Sequence, residues 1–224
     1  MKRSEINHHI QSAIDFFIEK NFFLPPWGFW KPGDWKGKYD SCSEIIDHQL
    51  GWDITDFGTN DFYNYGLILF TIRNGKIDKP EKKYCEKIMI VEEGQITPMH
   101  FHWSKTEDII NRGGGNLAME LYLADKSEKL TDHEFTVSTD GIVRHFQPGD
   151  KLVLETGESV TFPPYLAHRF YGEQGKGKVL VGEVSSVNDD NTDNCFVDGV
   201  GRFPSIVEDE PPLHLLVSDY PNYF

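Results

Sequence analysis

The chain has 224 residues, enough for one large domain or for a domain with substantial arms. Lysine and arginine together number 22 against 36 aspartate and glutamate residues, and the resulting net charge of −14 disfavours nucleic acid or an anionic membrane as a partner. No apolar run approaches membrane-spanning length, and the first residues lack the apolar core of a signal peptide.

The first predicted element is an amphipathic helix over residues 4–21. Its apolar residues recur at helical spacing and form a stripe that must pack against another part of the protein. They are Ile6, Ile10, Ala13, Ile14, Phe17 and Ile18. An aromatic segment follows at residues 22–30, where Pro25 and Pro26 restrict the backbone. We interpret this segment as an arm that packs on the barrel or on a partner subunit, rather than as a platform for stacking sugars.

A second helix is predicted from the capping-box pair Ser41 and Glu44 through Leu50, with Gly51 as its stop. The two predicted helices and the aromatic arm therefore account for the first sixty or so residues. We place the end of this N-terminal extension at residue 65.

From residue 67 onward the chain reads as short strands separated by glycine-containing turns. The predicted strands cover residues 67–73, 84–91, 117–123, 135–137, 151–154, 159–162 and 178–184. Both alternating faces of 84–91 are largely apolar, so we expect this strand to be buried on both sides with one charged residue inside. Short strands at this spacing indicate an all-β barrel or sandwich.

Residues 94–114 carry the strongest functional signal. His100 and His102 are two apart, so on a strand both imidazoles leave the same face, and Glu107 follows five residues later. Two neutral imidazoles and one carboxylate suit a divalent ion of the Mn, Fe, Co, Ni or Zn series. His168 offers a fourth ligand at the end of another strand, after a turn-forming glycine and a proline pair.

Two further charged residues are expected inside the barrel. Glu183 shares a strand face with Val181, and a carboxylate in such a setting needs a partner, a metal site or a substrate. Lys87 is likewise expected inside the barrel, on its own strand, and also needs a partner for its buried charge. A structural Lys87–Glu183 ion pair and an active-site role are both open at this point. The Asn- and Asp-rich run at 188–194 is interpreted as a polar turn, because it lacks the glycine and terminal glutamate of an EF-hand loop.

The spacing of the two histidine-containing segments resembles the cupin superfamily. Residues 94–114 match its first motif, Gly-x5-His-x-His-x4-Glu-x6-Gly, at every position. The second motif is matched at its first glycine, its proline and His168, while Tyr165 replaces an internal glycine and Gly172 the closing asparagine. The resemblance implies a jelly-roll-like β-barrel of six to eight strands, a double-stranded β-helix. It also implies one metal ion held by His100, His102, Glu107 and His168.

On this interpretation residues 1–224 form a single cupin domain. Residues 1–65 are its helical and aromatic N-terminal extension, residues 66–187 its barrel, and residues 188–224 a C-terminal tail packed on the barrel.

Four segments narrow the resemblance to D-lyxose isomerase of the longer enterobacterial type, and the similarity covers nearly the whole chain. They are residues 84–87, 98–103, 107–115 and 182–190. Enzymes of that family are manganese-dependent cupins that interconvert D-lyxose with D-xylulose and D-mannose with D-fructose. The resemblance therefore implies a sugar substrate and a Mn²⁺ cofactor, and the same ligands also accept Co²⁺ or Zn²⁺.

The chemistry of such an isomerase suggests roles for the remaining residues. A proton must move between C1 and C2, and a divalent ion that chelates O1 and O2 stabilises the enediolate as a Lewis acid. Glu183 is the candidate base, since an unperturbed pKa of about 4.3 keeps it ionised at neutral pH. Lys87 is expected to hold or protonate the sugar oxygen on which charge develops. Asp189 and Arg202 are candidates for binding sugar hydroxyls from exposed loops.

Two other classes of cupin stay open. An iron-dependent dioxygenase would use two histidines and one carboxylate and leave positions for oxygen. Four ligand candidates with an inward lysine and glutamate favour sugar isomerisation instead. A non-catalytic sugar-binding cupin would need an attached DNA-binding or signalling segment, and neither a helix-turn-helix nor a basic region is visible.

The three cysteines, Cys42, Cys85 and Cys195, are widely separated and odd in number, which indicates a reduced cytoplasm. We expect a homodimer, because the arm at residues 22–30 has more apolar surface than a small barrel readily hides.

Overall fold

Two antiparallel β-sheets form the body of the computed structural model, which describes residues 1–79 and 81–224. The strands are β1 (Gly51–Thr55), β2 (Leu67–Asn74), β3 (Tyr84–Val91), β4 (Thr97–Phe101), β5 (Glu107–Gly114), β6 (Leu117–Leu123), β7 (Phe135–Thr139), β8 (Ile142–Phe146), β9 (Lys151–Leu154), β10 (Ser159–Phe162), β11 (Leu166–Gly172), β12 (Val179–Ser186) and β13 (Cys195–Phe196). The larger sheet has the order β1-β2-β3-β12-β5-β10-β7-β8, and the smaller one the order β13-β4-β11-β6-β9. The predicted all-β, cupin-like fold is confirmed, although more strands are present than the six to eight expected.

The main hydrophobic core contains residues of both sheets. Met89 of β3 and Val181 of β12 are cross-strand partners in the larger sheet, and they belong to the same buried cluster as Met119 and Phe170 of the smaller sheet. On β3 this inward face also carries Lys87, which is only 4% exposed. The prediction that this strand buries both faces and one charged residue is confirmed.

Helix α1 (Arg3–Glu19) belongs to a second buried cluster, which includes the other face of β3. Its side chains Ile6 and Ile10 share this cluster with Ile88 and Ile90. The predicted helix is confirmed to within two residues at each end. Its apolar stripe is buried within the chain, except for Ile18, which is 54% exposed.

The aromatic arm packs on the larger sheet of the same chain. The Trp27 and Phe70 ring centroids are 4.8 Å apart, and Trp52 donates a hydrogen bond from its indole nitrogen to the Gly28 carbonyl at 2.9 Å. A Cβ added at Gly28 would lie 3.0 Å from the Phe70 ring, so the close approach requires glycine. Leu24 and Gly28 of the arm are buried, whereas Phe23 and Phe29 are 75% and 41% exposed. The chain therefore covers the arm only in part, and the homodimer stays a prediction.

The predicted second helix is wrong in its bounds. Helix α2 runs from Tyr39 to Asp47, so Ser41 lies inside it and Leu50 beyond it. The chain turns at Gln49, whose φ is 54°, and then forms β1 at the edge of the larger sheet. The residues interpreted as a purely helical and aromatic extension therefore contribute a strand.

The C-terminal residues pack against both the helix and the sheet. The Arg3 guanidinium is buried in ion pairs with Glu208 and Asp219, both at 2.7 Å. Thr55 of β1 donates a hydrogen bond to the Arg202 carbonyl at 2.6 Å, which fixes the backbone of Arg202 beside the barrel. Among the described residues, no helix is long and apolar enough to cross a membrane.

Candidate active site

Three histidine side chains converge between the two sheets. His100 on β4 and His168 on β11 are cross-strand partners, and His102 lies just beyond the end of β4. One ring nitrogen from each lies within 4.8 Å of those of the other two. Each Nδ1 lies within hydrogen-bonding distance of a backbone carbonyl, so the ring can donate through Nδ1 and leave the Nε2 lone pair free. The carbonyls are those of Pro98, Asp193 and Leu166, for His100, His102 and His168 respectively.

The turn before β11 aims the third histidine. His168 is the third residue of its strand, so it lies near a strand start and not at a strand end as expected. Tyr165, which replaces a motif glycine, has a φ of 65° and takes up the left-handed conformation that glycine favours. Its ring stacks on Phe101 with centroids 5.5 Å apart, and this contact offsets part of the backbone strain.

Glu107, the first residue of β5, completes a set of four candidate ligands. Its Oε1 lies 3.3 Å from Nε2 of both His102 and His168. With the imidazoles protonated at Nδ1 neither Nε2 can donate, and this buried oxygen has no hydrogen-bond partner within the described parts of the chain. Acceptors that face one another without a proton between them fit a cation at their centre.

Electrostatics favour the ligating protonation states. Burial lowers the pKa of His168 to about 4 and the pKa of His100 well below its ordinary value, so both are neutral near pH 7. Burial alone would raise the pKa of Glu107, but the Lys105 ammonium group outweighs burial and holds this pKa well below its usual range. Neutral imidazoles with one carboxylate are the donors that a divalent transition metal prefers.

Glu183 lies between two buried ammonium groups. Its Oε1 is 3.0 Å from Lys105 Nζ and its Oε2 is 3.5 Å from Lys87 Nζ. Lys105 also reaches Glu107 Oε2 at 2.8 Å, and thereby links Glu183 to the candidate ligands. Burial would raise the pKa of Glu183, but the two ammonium groups outweigh burial and lower it. The structure brings Lys87 and Glu183 together as cross-strand partners, and adds Lys105, which the sequence reasoning missed.

Arg202 is brought to the same cavity, whereas Asp189 is not. The Arg202 guanidinium pairs with Asp53 at 2.6 Å and with Asp190 at 3.2 Å, so it is buried rather than part of an exposed loop. Asp189 instead accepts hydrogen bonds within its own turn, from the Asn191 backbone and the Thr192 hydroxyl. Asp190 therefore lines the cavity where Asp189 was expected.

The empty space of the cavity, counted together with the solvent at its mouth, is about 470 Å³. Its charged lining is balanced, with three cations and three carboxylates. These are Lys87, Lys105, Arg202, Glu107, Glu183 and Asp190. The apolar lining includes Leu67, Leu69, Met89, Ile109, Phe170 and Phe196.

Two further polar atoms at the cavity lack partners in the part of the chain that the structure describes. One is the Thr97 hydroxyl, on a residue that is 3% exposed, and the other is Nη1 of Arg202. A buried polar group without a partner costs about 1–3 kcal/mol, so both atoms favour a ligand rich in hydroxyl groups.

Comparison with known proteins gives consistent results in sequence and in structure. The family model for D-lyxose isomerase matches residues 1–220. A D-lyxose/D-mannose isomerase of Escherichia coli O157:H7 is 48% identical over 224 residues, and one of Serratia proteamaculans is 48% identical over 223 residues; each match covers 98% of both chains. Among solved structures, L-ribose isomerase of Geodermatophilus obscurus has a TM-score of 0.62 at 16% identity, over 92% of this chain and 98% of its own. At that identity the structural likeness shows a shared fold.

Proposed function

Because the chain belongs to the D-lyxose isomerase family, we propose that it interconverts D-lyxose with D-xylulose and D-mannose with D-fructose. It is an aldose–ketose isomerase by family, and its choice of sugars is inferred from the names of its relatives. The observation that supports this reaction most strongly is Glu183, a buried carboxylate held by two ammonium groups near three histidines that could hold a metal ion.

We propose that His100, His102, Glu107 and His168 hold one divalent ion, Mn²⁺ in the native protein with Co²⁺ or Zn²⁺ as substitutes. The unpartnered Glu107 oxygen and the convergent imidazoles support this assignment. A bound ion of this kind would polarise the oxygens at C1 and C2 of the sugar as a Lewis acid.

Glu183 is proposed to remove the proton from C2 of the aldose and to return it to C1, while the hydroxyl proton of O2 passes to O1 and leaves the ketose carbonyl at C2. Its lowered pKa keeps it ionised near pH 7, as a base requires. When the carboxylate takes the proton, its negative charge passes to the oxygens of an enediolate. Lys87 and Lys105 lie on both sides of Glu183 and are placed to offset the charge before and after this transfer. The ion pair and the active-site role are therefore compatible.

The sugar hydroxyls away from the reacting carbons are assigned to groups with spare hydrogen-bonding capacity. Arg202 can donate from its unpartnered Nη1, and the Thr97 hydroxyl can donate or accept. Lys87 is assigned to the sugar oxygen at the reacting carbons. Asp190, which lines the cavity, replaces Asp189 as the candidate for binding a sugar hydroxyl.

We also propose that the protein works as a homodimer in the reduced cytoplasm. Its three cysteines are free, which supports a reducing compartment. Edge strand β8 exposes Ile142 and Val143 by 62% and 65%, and this apolar edge supports self-association. Sedimentation at micromolar concentration tests the dimer, and a monomer would contradict it.

The experiment is an assay of ketose formation from a panel of aldoses, with Mn²⁺, Co²⁺, Zn²⁺ or Fe²⁺ added to chelated protein. The proposal expects turnover of D-lyxose and D-mannose with Mn²⁺ or Co²⁺, and no oxygen uptake. Oxygen uptake by iron-loaded protein without ketose formation would favour the dioxygenase alternative. Sugar binding without turnover under every condition would favour a non-catalytic cupin.

A further inference from the structure

We propose that Asn74, which lies outside the cavity, is a positioning residue for the proton-transfer site. It acts through Asn188, whose side chain holds both ammonium groups beside Glu183. This inference rests on the proposed isomerase function, in which Glu183 moves the proton.

Asn188 completes a ring of polar contacts around the catalytic carboxylate. Its Oδ1 accepts hydrogen bonds from Lys87 Nζ at 2.8 Å and from Lys105 Nζ at 3.2 Å. Each ammonium group therefore bridges Asn188 and Glu183. For Lys87 the amide oxygen is the closest of these contacts, since the carboxylates of Glu183 and Asp190 are 3.5 and 3.8 Å away. The position of Lys87 consequently depends on Asn188 more than on either charged partner.

Asn188 lies beyond the last residue of β12, where the ladder of the sheet no longer fixes the backbone. Asn74, the last residue of β2, supplies the missing bonds from its side chain. Its Nδ2 donates to the Asn188 carbonyl at 2.8 Å, and its Oδ1 accepts from the Asn188 backbone N–H at 3.0 Å. His48 in turn contacts the Asn74 carbonyl through Nδ1 at 2.7 Å.

The two bonds require one donor and one acceptor on a short side chain, which asparagine provides and aspartate or alanine does not. Asn74 is 6% exposed and does not line the cavity, so no sugar contact accounts for it. Loss of these two hydrogen bonds frees the Asn188 backbone. The side-chain oxygen of Asn188 can then move away from the two lysines. A displacement of about 1 Å in such a site costs up to about 10²-fold in rate.

The primary test compares steady-state kinetics of Asn74→Ala, Asn188→Ala and the double variant. We expect Asn74→Ala to lower kcat by about 10- to 100-fold with KM changed by less than about threefold, because the ammonium groups act mainly in the transition state. If Asn74 acts through Asn188, the double variant should be no slower than Asn188→Ala alone. Equal kcat in Asn74→Ala and the parent protein, or full additivity in the double variant, would overturn the inference.

Asn111→Ala is the matched control. Asn111 is also buried, and its side chain makes three hydrogen bonds to backbone groups. It lies on β5, makes no contact with Asn188, and does not line the cavity. Its loss should lower stability without changing kcat per folded, metal-loaded molecule. A similar fall in kcat for Asn111→Ala would mean that any loosened loop slows the enzyme, and would remove the case for Asn74.

A second readout does not depend on activity. Amidination of lysines, followed by mass spectrometry, should label Lys87 and Lys105 faster in Asn74→Ala than in the parent, and at an unchanged rate in Asn111→Ala. A parent protein that forms no ketose would refute the proposed function while leaving this readout intact. Unchanged labelling of both lysines in Asn74→Ala would refute the positioning role by itself.

Discussion

Replacement of Glu183 by glutamine removes the charge of the proposed base and keeps its volume. The parent carboxylate offers one oxygen to Lys105 at 3.0 Å and the other to Lys87 at 3.5 Å. Glutamine has a single oxygen, so one ammonium group must face an amide N–H₂. We expect the oxygen to keep the shorter contact with Lys105, while Lys87 keeps its bond to Asn188 at 2.8 Å.

These contacts set the size of the effect. Breaking a buried ion pair by removing one partner costs about 3–5 kcal/mol, and we expect the lower end because both lysines keep an acceptor. Loss of a general base lowers turnover by about 10²–10⁴-fold, which is roughly 3–5 kcal/mol of barrier at about 1.4 kcal/mol per tenfold. Metal content should be unchanged, since the four candidate ligands are intact. Sugar affinity should stay within a few-fold of the parent.

The assay measures kcat for D-mannose and D-lyxose together with exchange of the C2 hydrogen in deuterated water, and both rates should fall in parallel. Glu120→Gln is the control, because Glu120 makes a 2.6 Å ion pair with Arg169 and does not line the cavity. It should change neither rate. A folded, metal-loaded Glu183→Gln variant with near-normal turnover would show that Glu183 is only a structural partner of the lysines.

Three further predictions concern the ligands, the cavity and pH. Alanine at His100 or His168 should abolish metal retention during gel filtration, and full occupancy by elemental analysis in both variants would contradict the ligand set. Thr97→Val should raise KM severalfold while the unfolding temperature stays level or rises, since it removes a buried hydroxyl without a partner in the described structure; an unchanged KM would exclude Thr97 from sugar binding. Burial lowers the pKa of His9 from 6.5 to about 4, so between these values the unfolded chain binds a proton that the native chain does not, and stability falls as pH falls. His9→Gln should reduce this loss by about 1–2 kcal/mol after allowance for solvent screening, measured by urea unfolding at pH 7 and 4.5; an equal loss in both proteins would contradict it.

Local patterns predicted the elements whose apolar residues recur with a regular period. Strand β3 was predicted with its bounds, because its two alternating faces are buried by different layers. The convergence of His100 and His102 follows from their spacing on and just after one strand. Strand β8 was missed because four of its five residues are exposed, so it carries no alternating apolar signal.

The residues that were missed depend on contacts between distant parts of the chain. Lys105 lies in the connection between β4 and β5, where no periodicity predicts a direction, and only its carboxylate partners reveal that it is buried. Asp189 and Asp190 are adjacent in a turn, and the pairing of Asp190 with Arg202 decides which of them enters the cavity. Arg202 is buried through Asp53, which is 149 positions away in sequence.

We propose that isomerisation in this cavity depends on a divalent ion held by the three histidines and Glu107. Titration of chelator-stripped protein with Mn²⁺ tests this dependence, with bound metal and the rate of D-mannose isomerisation measured on the same samples. We expect negligible activity without metal and a linear rise that levels off at one ion per chain. Full activity in the stripped protein, or bound metal that restores none, would contradict it.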